Sequence, residues 1–190
     1  MQLTAFAHQK TSTWSGGTTT ELFIYPEDSV YSERNFDFRI STATVEVEES
    51  NFTQILGYKR ILMILQGKLF IEHKNQHSKT LNQYECDEFL GAWETKGKGK
   101  VIDFNLMMKV SWNGSLSIDE ITSNSSKSYL YNENKFIGLY LLEGSLSANE
   151  QTLNKKDFLL FESKTVGDKI NITSNENCKF VLVKVSEIGA

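Results

Sequence analysis

Two arginines occupy positions where a charged side chain needs either a partner or a route to water. Arg39 lies in a segment that alternates apolar and polar residues, and Arg60 immediately precedes the apolar run Ile61 to Leu65. Each arginine ends in solvent, pairs with a nearby acid, or points inward, where an unpaired charge would be very costly. An inward guanidinium suits a ligand carboxylate or an internal acid, because its forked donors match two carboxylate oxygens.

Three further polar residues are suited to meet these arginines. Asp103 and Asn105 are two residues apart in an alternating segment, so a strand would place both on one face. Glu21 is a third internal candidate. These residues predict ion pairs or an anion site around the two guanidinium groups.

The segment from Trp14 to Glu21 combines a large aromatic residue, the glycines Gly16 and Gly17, and a run of hydroxyl residues that includes Thr19. Glycines allow the backbone to approach another group closely. Trp14 would then either cover the open end of a β-barrel or help to line a pocket mouth with hydroxyl and backbone donors.

His73 and His77 are the only closely spaced histidines. Four residues apart, they would share one face of a strand, but the intervening 74–76 is typical of a hairpin tip. We therefore expect two exposed loop histidines. A metal site would need a third nearby ligand, and none is evident in the sequence, so no metal is predicted.

The elements that must position these residues are strands. An apolar run, a polar residue, a glycine, a polar residue and a leucine occur twice, at 62–69 around Gly67 and at 139–146 around Gly144. Such self-similarity indicates one structural unit built twice, and the glycine suits a turn or bulge between strands. No window shows a capped apolar stripe with helical period. The predicted fold is all-β with little helix, a duplicated barrel or double sandwich.

The turn-like pair Asn113-Gly114 marks the predicted division. Residues 1–112 would form an N-terminal barrel and 113–190 a C-terminal barrel, packed as one compact domain. The basic segment 95–100 is predicted to be a solvated hairpin tip rather than a phosphate loop, because no helix follows it.

Composition excludes several classes of protein. The 190 residues carry a net charge of −4 without a basic run, so nucleic acid is not an expected partner. No apolar run approaches the ~18 residues of a membrane helix, and residues 1–10 do not resemble a secretory signal. The expected location is the cytoplasm.

Four stretches, in matching order and spacing, resemble the HutD/Ves family: Trp14–Glu21, Phe36–Ala43, Asn51–Arg60 and Asp103–Met107. The family shows W-x-G-G-x-T-x-E, F-x-W-R-I-S-x-A, F-S-x-x-x-G-x-x-R and D-x-N-x-M at these places. The resemblance implies a bicupin, with two tandem β-barrel or jelly-roll units. The sequence departs mildly from the family pattern at three positions. Phe38 replaces the usual tryptophan, Ser15 replaces asparagine, and Thr53 replaces serine. These changes affect the expected identity of the ligand rather than the expected fold.

The resemblance also allows a test for the metal of metal-binding cupins, whose ligands precede this glycine. Counting back from Gly67 gives Gln54, Leu56 and Arg60, and counting back from Gly144 gives Tyr131, Glu133 and Ile137. Neither half has two histidines and a glutamate. An arginine in place of the carboxylate suggests that a cation anchors an anionic ligand, without a metal or other cofactor.

The first hypothesis is therefore a metal-free bicupin that binds a small carboxylate-bearing metabolite in its N-terminal barrel. Arg60 would be the anion anchor and Arg39 a second donor or support. The full predicted ligand-binding set is Arg60, Arg39, Trp14, Thr19, Glu21, Ser41, Asp103 and Asn105. HutD relatives are linked to histidine utilisation and Ves relatives to stress response, which implies a regulator or sensor.

Two alternatives remain open. A metal-independent isomerase or lyase would use Glu21 or Asp103 as a general base with a raised pKa. A structural homodimer with a vestigial pocket would carry its interface on a sheet face around Phe158 to Phe161.

Overall fold

The computed structural model describes residues 1–131, 134–165 and 167–189, which are mostly β-strand. Glu133 lies outside the described residues. Two short 3-10 helices cover Phe6–His8 and Tyr31–Glu33. No helix among the described residues could cross a membrane.

The strands, in chain order, are β1 (Gln2–Thr4), β2 (Lys10–Trp14), β3 (Gly17–Tyr25), β4 (Phe38–Val45), β5 (Glu49–Asn51), β6 (Tyr58–Gly67), β7 (Leu69–His73), β8 (Ser78–Leu81), β9 (Cys86–Leu90), β10 (Thr95–Lys98), β11 (Val101–Lys109), β12 (Trp112–Ile121), β13 (Ser125–Leu130), β14 (Phe136–Glu143), β15 (Leu146–Ala148), β16 (Gln151–Leu153), β17 (Phe158–Glu162), β18 (Lys169–Ser174) and β19 (Cys178–Glu187). The all-β prediction is confirmed. The segment 95–100, predicted to be a hairpin tip, instead contributes strand β10, which pairs with β7 and β5.

Two compact units divide the chain. We call Lys10–Trp112 the first unit, and Met1–Gln9 with Asn113–Ala190 the second unit. The prediction grouped residues 1–9 with the first barrel. In the structure β1 pairs with β17, a strand of the second unit, through register pairs such as Leu3 with Leu159. Asn113-Gly114 lies within β12 rather than in a turn, and the turn occupies residues 110–111.

Each unit is built from two antiparallel sheets with one topology. The first unit has sheet orders β2-β3-β4-β11-β6-β9 and β5-β10-β7-β8. The second unit has β1-β17-β14-β19-β12 and β13-β18-β15-β16. Strands β4-β11-β6-β9 of the first unit therefore correspond to β12-β19-β14-β17 of the second. The sequence repeat is a structural repeat.

Gly67 is the last residue of β6, and Gly144 immediately follows the corresponding strand β14. Their φ angles are +90° and +80°, in the left-handed region that favours glycine. A Cβ would lie 2.6 Å from the Lys100 carbonyl oxygen at the first position and 2.6 Å from the Asn177 carbonyl oxygen at the second. The same backbone requirement is therefore met by glycine in both halves.

Apolar residues fill much of the interior of each unit. In the first unit one cluster includes Leu62, Ile64 and Ile71, and in the second a larger cluster includes Leu139 and Phe180. The residues Phe158 to Phe161, predicted to present an interface, are all buried within the chain. They therefore expose no apolar face to a partner, and a homodimer stays a prediction.

The register of the six-stranded sheet of the first unit brings distant polar residues together. Met107 of β11 lies opposite Arg39 of β4 on one side and Arg60 of β6 on the other. Two residues earlier in β11, Asn105 lies between Ser41 of β4 and Leu62 of β6. Because side chains alternate between faces, the side chains at these two register positions lie on one face of the sheet.

Candidate functional site

A cavity of about 290 Å³ lies within the first unit. Seven of the eight predicted ligand-binding residues line it: Trp14, Thr19, Arg39, Ser41, Arg60, Asp103 and Asn105. The eighth residue, Glu21, does not line the cavity but forms an ion pair with Arg39, which does. The structure thus brings together residues from β2, β3, β4, β6 and β11.

Arg39 is held by three neighbours. Its Nε donates to Glu21 Oε2 at 2.7 Å, and its Nη1 donates to Ser41 Oγ at 3.3 Å. The guanidinium also lies 4.4 Å from the ring centroid of Tyr31, within cation–π range. Arg39 is therefore largely satisfied by the protein, and its position on the cavity wall is fixed.

Arg60 has fewer hydrogen-bond partners. Its Nη2 donates to the Thr53 carbonyl oxygen at 2.6 Å. Its Nε is buried and has no hydrogen-bond partner among the described residues. Burial lowers the pKa of Arg60 from its usual value, while nearby Tyr31 and Asp103 act in the opposite direction. Even so, an arginine remains protonated at neutral pH.

Asn105 Oδ1 is the second buried polar atom without a partner among the described residues. Leaving a buried donor or acceptor unpaired costs roughly 1–3 kcal/mol. Arg60 and Asn105, the residues that carry these two unpartnered atoms, both line the cavity.

Asp103 lies next to this pair on β11 and is 5% exposed. Burial raises its pKa from 3.8 to about 7, against the opposing effect of Arg60. Near neutral pH its carboxyl group is therefore partly protonated, and it can then donate a hydrogen bond as well as accept one.

Trp14 and Thr19 lie on the hairpin formed by β2 and β3. The Trp14 indole lies over Gly16, where an added Cβ would come within 2.1 Å of the ring. Trp14 is 37% exposed, as a residue at a cavity mouth would be. Gly16 allows this placement because it has no side chain.

Some residues that line the cavity were not predicted from the sequence. Tyr31, Phe52 and Thr53 contact the two arginines, and each also lines the cavity. Phe52 and Thr53 fell within a recognised motif and could have been found from it. Tyr31 belongs to a 3-10 helix that carries no recognisable pattern.

No histidine or cysteine lines this cavity in the part of the chain that the structure describes. Of the positions that correspond to cupin metal ligands, Gln54 donates its side-chain amide to the Ala92 carbonyl oxygen, and Leu56 is 80% exposed. With Arg60 as the third position, this donor set does not fit a metal ion.

The histidine prediction requires a correction. His77 is exposed, but His73 is buried, because β7 continues its inward alternation of Leu69 and Ile71 through residue 73. Asp87 of β9 lies between the two rings, with Oδ2 at 2.9 Å from His73 Nε2 and 3.1 Å from His77 Nε2. Asp87 is the third group that the sequence did not reveal, because β9 is brought to β7 only by the fold.

Burial lowers the pKa of His73, opposed by its hydrogen bond with Asp87. None of His73, His77 and Asp87 lines the cavity. The first unit thus contains two separate groups of buried polar residues.

The fold recurs in solved structures of low sequence identity. HutD from Pseudomonas fluorescens SBW25, in a formate condition, has 16% identity and a TM-score of 0.76, with 99% of each chain covered. The conserved protein of unknown function PA5104 from Pseudomonas aeruginosa PAO1 has 20% identity and a TM-score of 0.82, with 98% of each chain covered. YhhW from Escherichia coli has 8% identity and a TM-score of 0.74, with 100% of this chain and 99% of that chain covered.

These neighbours confirm the bicupin fold. A search of curated proteins gave no match. The sequence profile of the HutD family matches residues 6–182, which is most of the chain. The protein therefore belongs to the HutD family.

Proposed function

We propose that the cavity of the first unit binds a small carboxylate-bearing metabolite without a metal, and that the protein acts as a sensor or regulator in histidine utilisation or stress response. The observation that carries this proposal is that Arg60, a buried cation, lines the cavity and has one hydrogen-bond acceptor among the described residues, the Thr53 carbonyl oxygen. A ligand carboxylate would supply the missing acceptor and compensate the buried charge.

The two arginines have different parts in this proposal. Arg39 is occupied by Glu21 and Ser41, so it shapes the cavity and contributes positive potential. Arg60 retains an unused donor, so it anchors the anion. The Thr53 carbonyl oxygen holds its Nη2 and thereby orients the guanidinium.

The cavity wall also restricts the size of the ligand and the polar groups that it carries besides its carboxylate. Asn105 Oδ1 needs a donor, which an N–H or O–H group on the ligand would provide. A volume of about 290 Å³ is at the small end for ligand pockets. The expected ligand is a compact acid with one further polar hydrogen, and Asp103 in its protonated form would not repel its carboxylate.

The link of HutD relatives to histidine utilisation suggests which acids to test. Formate, named in the condition of the related HutD structure from Pseudomonas fluorescens, is the smallest carboxylate and serves as a minimal probe. The carboxylic acids of histidine breakdown are larger members of the same class. A cytoplasmic location stays part of this proposal.

A thermal-shift screen of chelator-treated protein tests the proposal, because a ligand that binds only the folded state raises the melting temperature. We expect formate and the acids of histidine breakdown to stabilise the wild type but not Arg60→Ala. Lys98→Ala removes an exposed cation and serves as the control for loss of charge, since Lys98 Nζ is 3.8 Å from Glu49 at the surface. No shift with any carboxylate, or equal shifts in wild type and Arg60→Ala, would refute the anion-anchor role.

A metal-independent acid–base enzyme is the second candidate, and the raised pKa of Asp103 favours it. A general base works best with a pKa near the working pH, and the pKa of Asp103 lies at about 7. Glu21, the other predicted base, forms an ion pair with Arg39 and does not line the cavity. Incubating each stabilising acid with the protein and following its NMR spectrum separates the candidates. Turnover that is lost in Asp103→Asn while binding persists would identify an enzyme, whereas an unchanged ligand supports a sensor.

A further inference from the structure

We propose that His73, His77 and Asp87, which lie outside the cavity lining, form a binding site for one divalent transition metal ion, with Zn²⁺ as the preferred occupant. One candidate ligand atom from each residue lies within 4.8 Å of the others. This inference does not depend on the ligand of the cavity.

The donor set is that of a borderline metal. Two imidazole nitrogens and one carboxylate oxygen suit Zn²⁺, whereas Mg²⁺ and Ca²⁺ prefer oxygen ligands alone. In a tetrahedral zinc site the ligand atoms are about 3.4 Å apart, as follows from bond lengths of about 2.1 Å. The Asp87 oxygens already lie 2.9–3.3 Å from the two Nε2 atoms. Small side-chain movements would therefore accommodate the ion.

The surroundings of His73 orient its Nε2 toward the site. Its Nδ1 lies 2.8 Å from Thr95 Oγ1, and that hydroxyl lies 3.3 Å from the Trp93 carbonyl oxygen. When the hydroxyl donates to the carbonyl, it accepts the Nδ1 proton and leaves the Nε2 lone pair free to bind a metal. Histidine ligands are commonly fixed through the other ring nitrogen in this way.

The same arrangement explains why a cation is favoured. In that tautomer the Nε2 lone pair of His73 faces Asp87 Oδ2 at 2.9 Å, and two lone pairs at this distance repel unless a proton or a metal ion lies between them. Asp87 is 7% exposed, so water screens this repulsion poorly. A metal ion bound to both atoms, and to His77, would remove it.

The site is closed on one side and open on the other. The Trp93 ring packs against both imidazoles, and Phe89 packs against His73. The His77 side chain is 42% exposed, which provides a route of entry. Three protein ligands leave a fourth position for water, as in zinc sites that bind a further ligand.

Metal titration of the chelator-treated full chain tests the site. We expect one Zn²⁺ per chain by calorimetry, and Co²⁺ absorption bands typical of low coordination number. His77→Ala, at an exposed position, should weaken Zn²⁺ binding by more than 100-fold. Thr95→Val should weaken it by about 10–100-fold, since it removes only the group that orients His73.

His8→Ala is the matched control, because His8 is the remaining histidine of the chain and lies in the second unit. It should bind Zn²⁺ as the wild type does. Absence of stoichiometric Zn²⁺ and Co²⁺ binding by the wild type would refute the proposal. Equal affinity of the wild type and His77→Ala would also refute it, and would show that the three residues form only a hydrogen-bonded cluster.

Discussion

The two units repeat one strand plan but place opposite chemistry on equivalent inward positions. Arg60 and Ile137 each lie seven residues before the repeated glycine of their unit. In the first unit Asn105 pairs with Leu62, and in the second unit the equivalent pair is Leu182 with Leu139. The first unit has a charged or polar side chain where the second has an aliphatic one.

The same contrast extends to two further positions. Asp103 lies opposite Ile64, and its counterpart Phe180 lies opposite Leu141. In the first unit Asp87 lies opposite Leu62. In the second unit Leu159 takes the equivalent position, opposite Leu139. All of these counterparts belong to the apolar core of the second unit.

The comparison separates the side chains that the fold requires from those that it only tolerates. The second unit shows that this strand plan can be filled with apolar side chains alone at these positions. Buried polar groups cost free energy unless they are fully paired. The polar wall of the first unit is therefore not required by the barrel, and a ligand is the simplest source of the missing partners.

The largest expected effect comes from moving the arginine to the other unit. Ile137→Arg would bury a guanidinium among the apolar core residues of the second unit, such as Leu139. An unpaired buried charge should lower the free energy of unfolding by about 4 kcal/mol or more. Chemical denaturation followed by circular dichroism measures this loss. Ile137→Leu is the control, and a folded variant of wild-type stability would show that the two interiors are not distinct.

Asp103 should make stability depend on pH. Its pKa of about 7 in the folded state lies above the unfolded value near 3.8, so the folded state holds the proton more tightly. Its contribution is complete below about pH 4 and is lost as the pH rises through 7, by up to about 4 kcal/mol. The advantage in unfolding free energy of Asp103→Asn, a neutral isostere, over the wild type should therefore grow as the pH rises from about 4 to 7 and stay constant above that. Parallel pH profiles for both proteins would show that Asp103 is ionised throughout.

Arg60→Ala is expected to weaken carboxylate binding, with formate and the acids of histidine breakdown as probes. A charge-assisted hydrogen bond to a buried ion contributes roughly 2–5 kcal/mol, so affinity should fall by about 30-fold or more. Most of the fold should persist, because among the described residues this side chain donates one hydrogen bond, to the Thr53 carbonyl oxygen. Calorimetry gives the affinity and circular dichroism the folded fraction. Loss of folding would instead show that Arg60 is part of a structural ion pair.

Much of the fold could be predicted because its determinants are local. Alternating residues specify strands, and the repeated glycines specify two equivalent bends, so the all-β duplicated architecture follows from short segments. The assignment of residues 1–9 could not be predicted, since it depends on a strand pairing 150 or more residues away. Likewise, the strand at 95–98 has basic and glycine residues, and only its two neighbours make it a strand.

The site was partly predictable for the same reason. Asp103 and Asn105 share a face by alternation alone, whereas their alignment with Arg39 and Arg60 depends on the register of three strands. His73 was expected to be exposed because the hairpin tip at 74–76 follows it directly, yet it is the last inward residue of its strand. Asp87 looked like an ordinary polar residue, and it reaches the histidines only because β9, a strand of the other sheet of the unit, comes close to the end of β7 in the fold.

The smallest expected effect comes from making the first unit resemble the second at one position. Asn105→Leu introduces the residue found at the equivalent Leu182 and removes an unpaired buried acceptor. The free energy of unfolding should rise by about 1 kcal/mol, since the penalty for that acceptor disappears. Carboxylate binding should weaken at the same time, because the ligand loses its acceptor. The reciprocal Leu182→Asn should destabilise the protein, because it places an amide in the apolar core of the second unit. A loss of stability in Asn105→Leu would mean that Asn105 supports the barrel itself, and the polar wall would then be structural in the first unit.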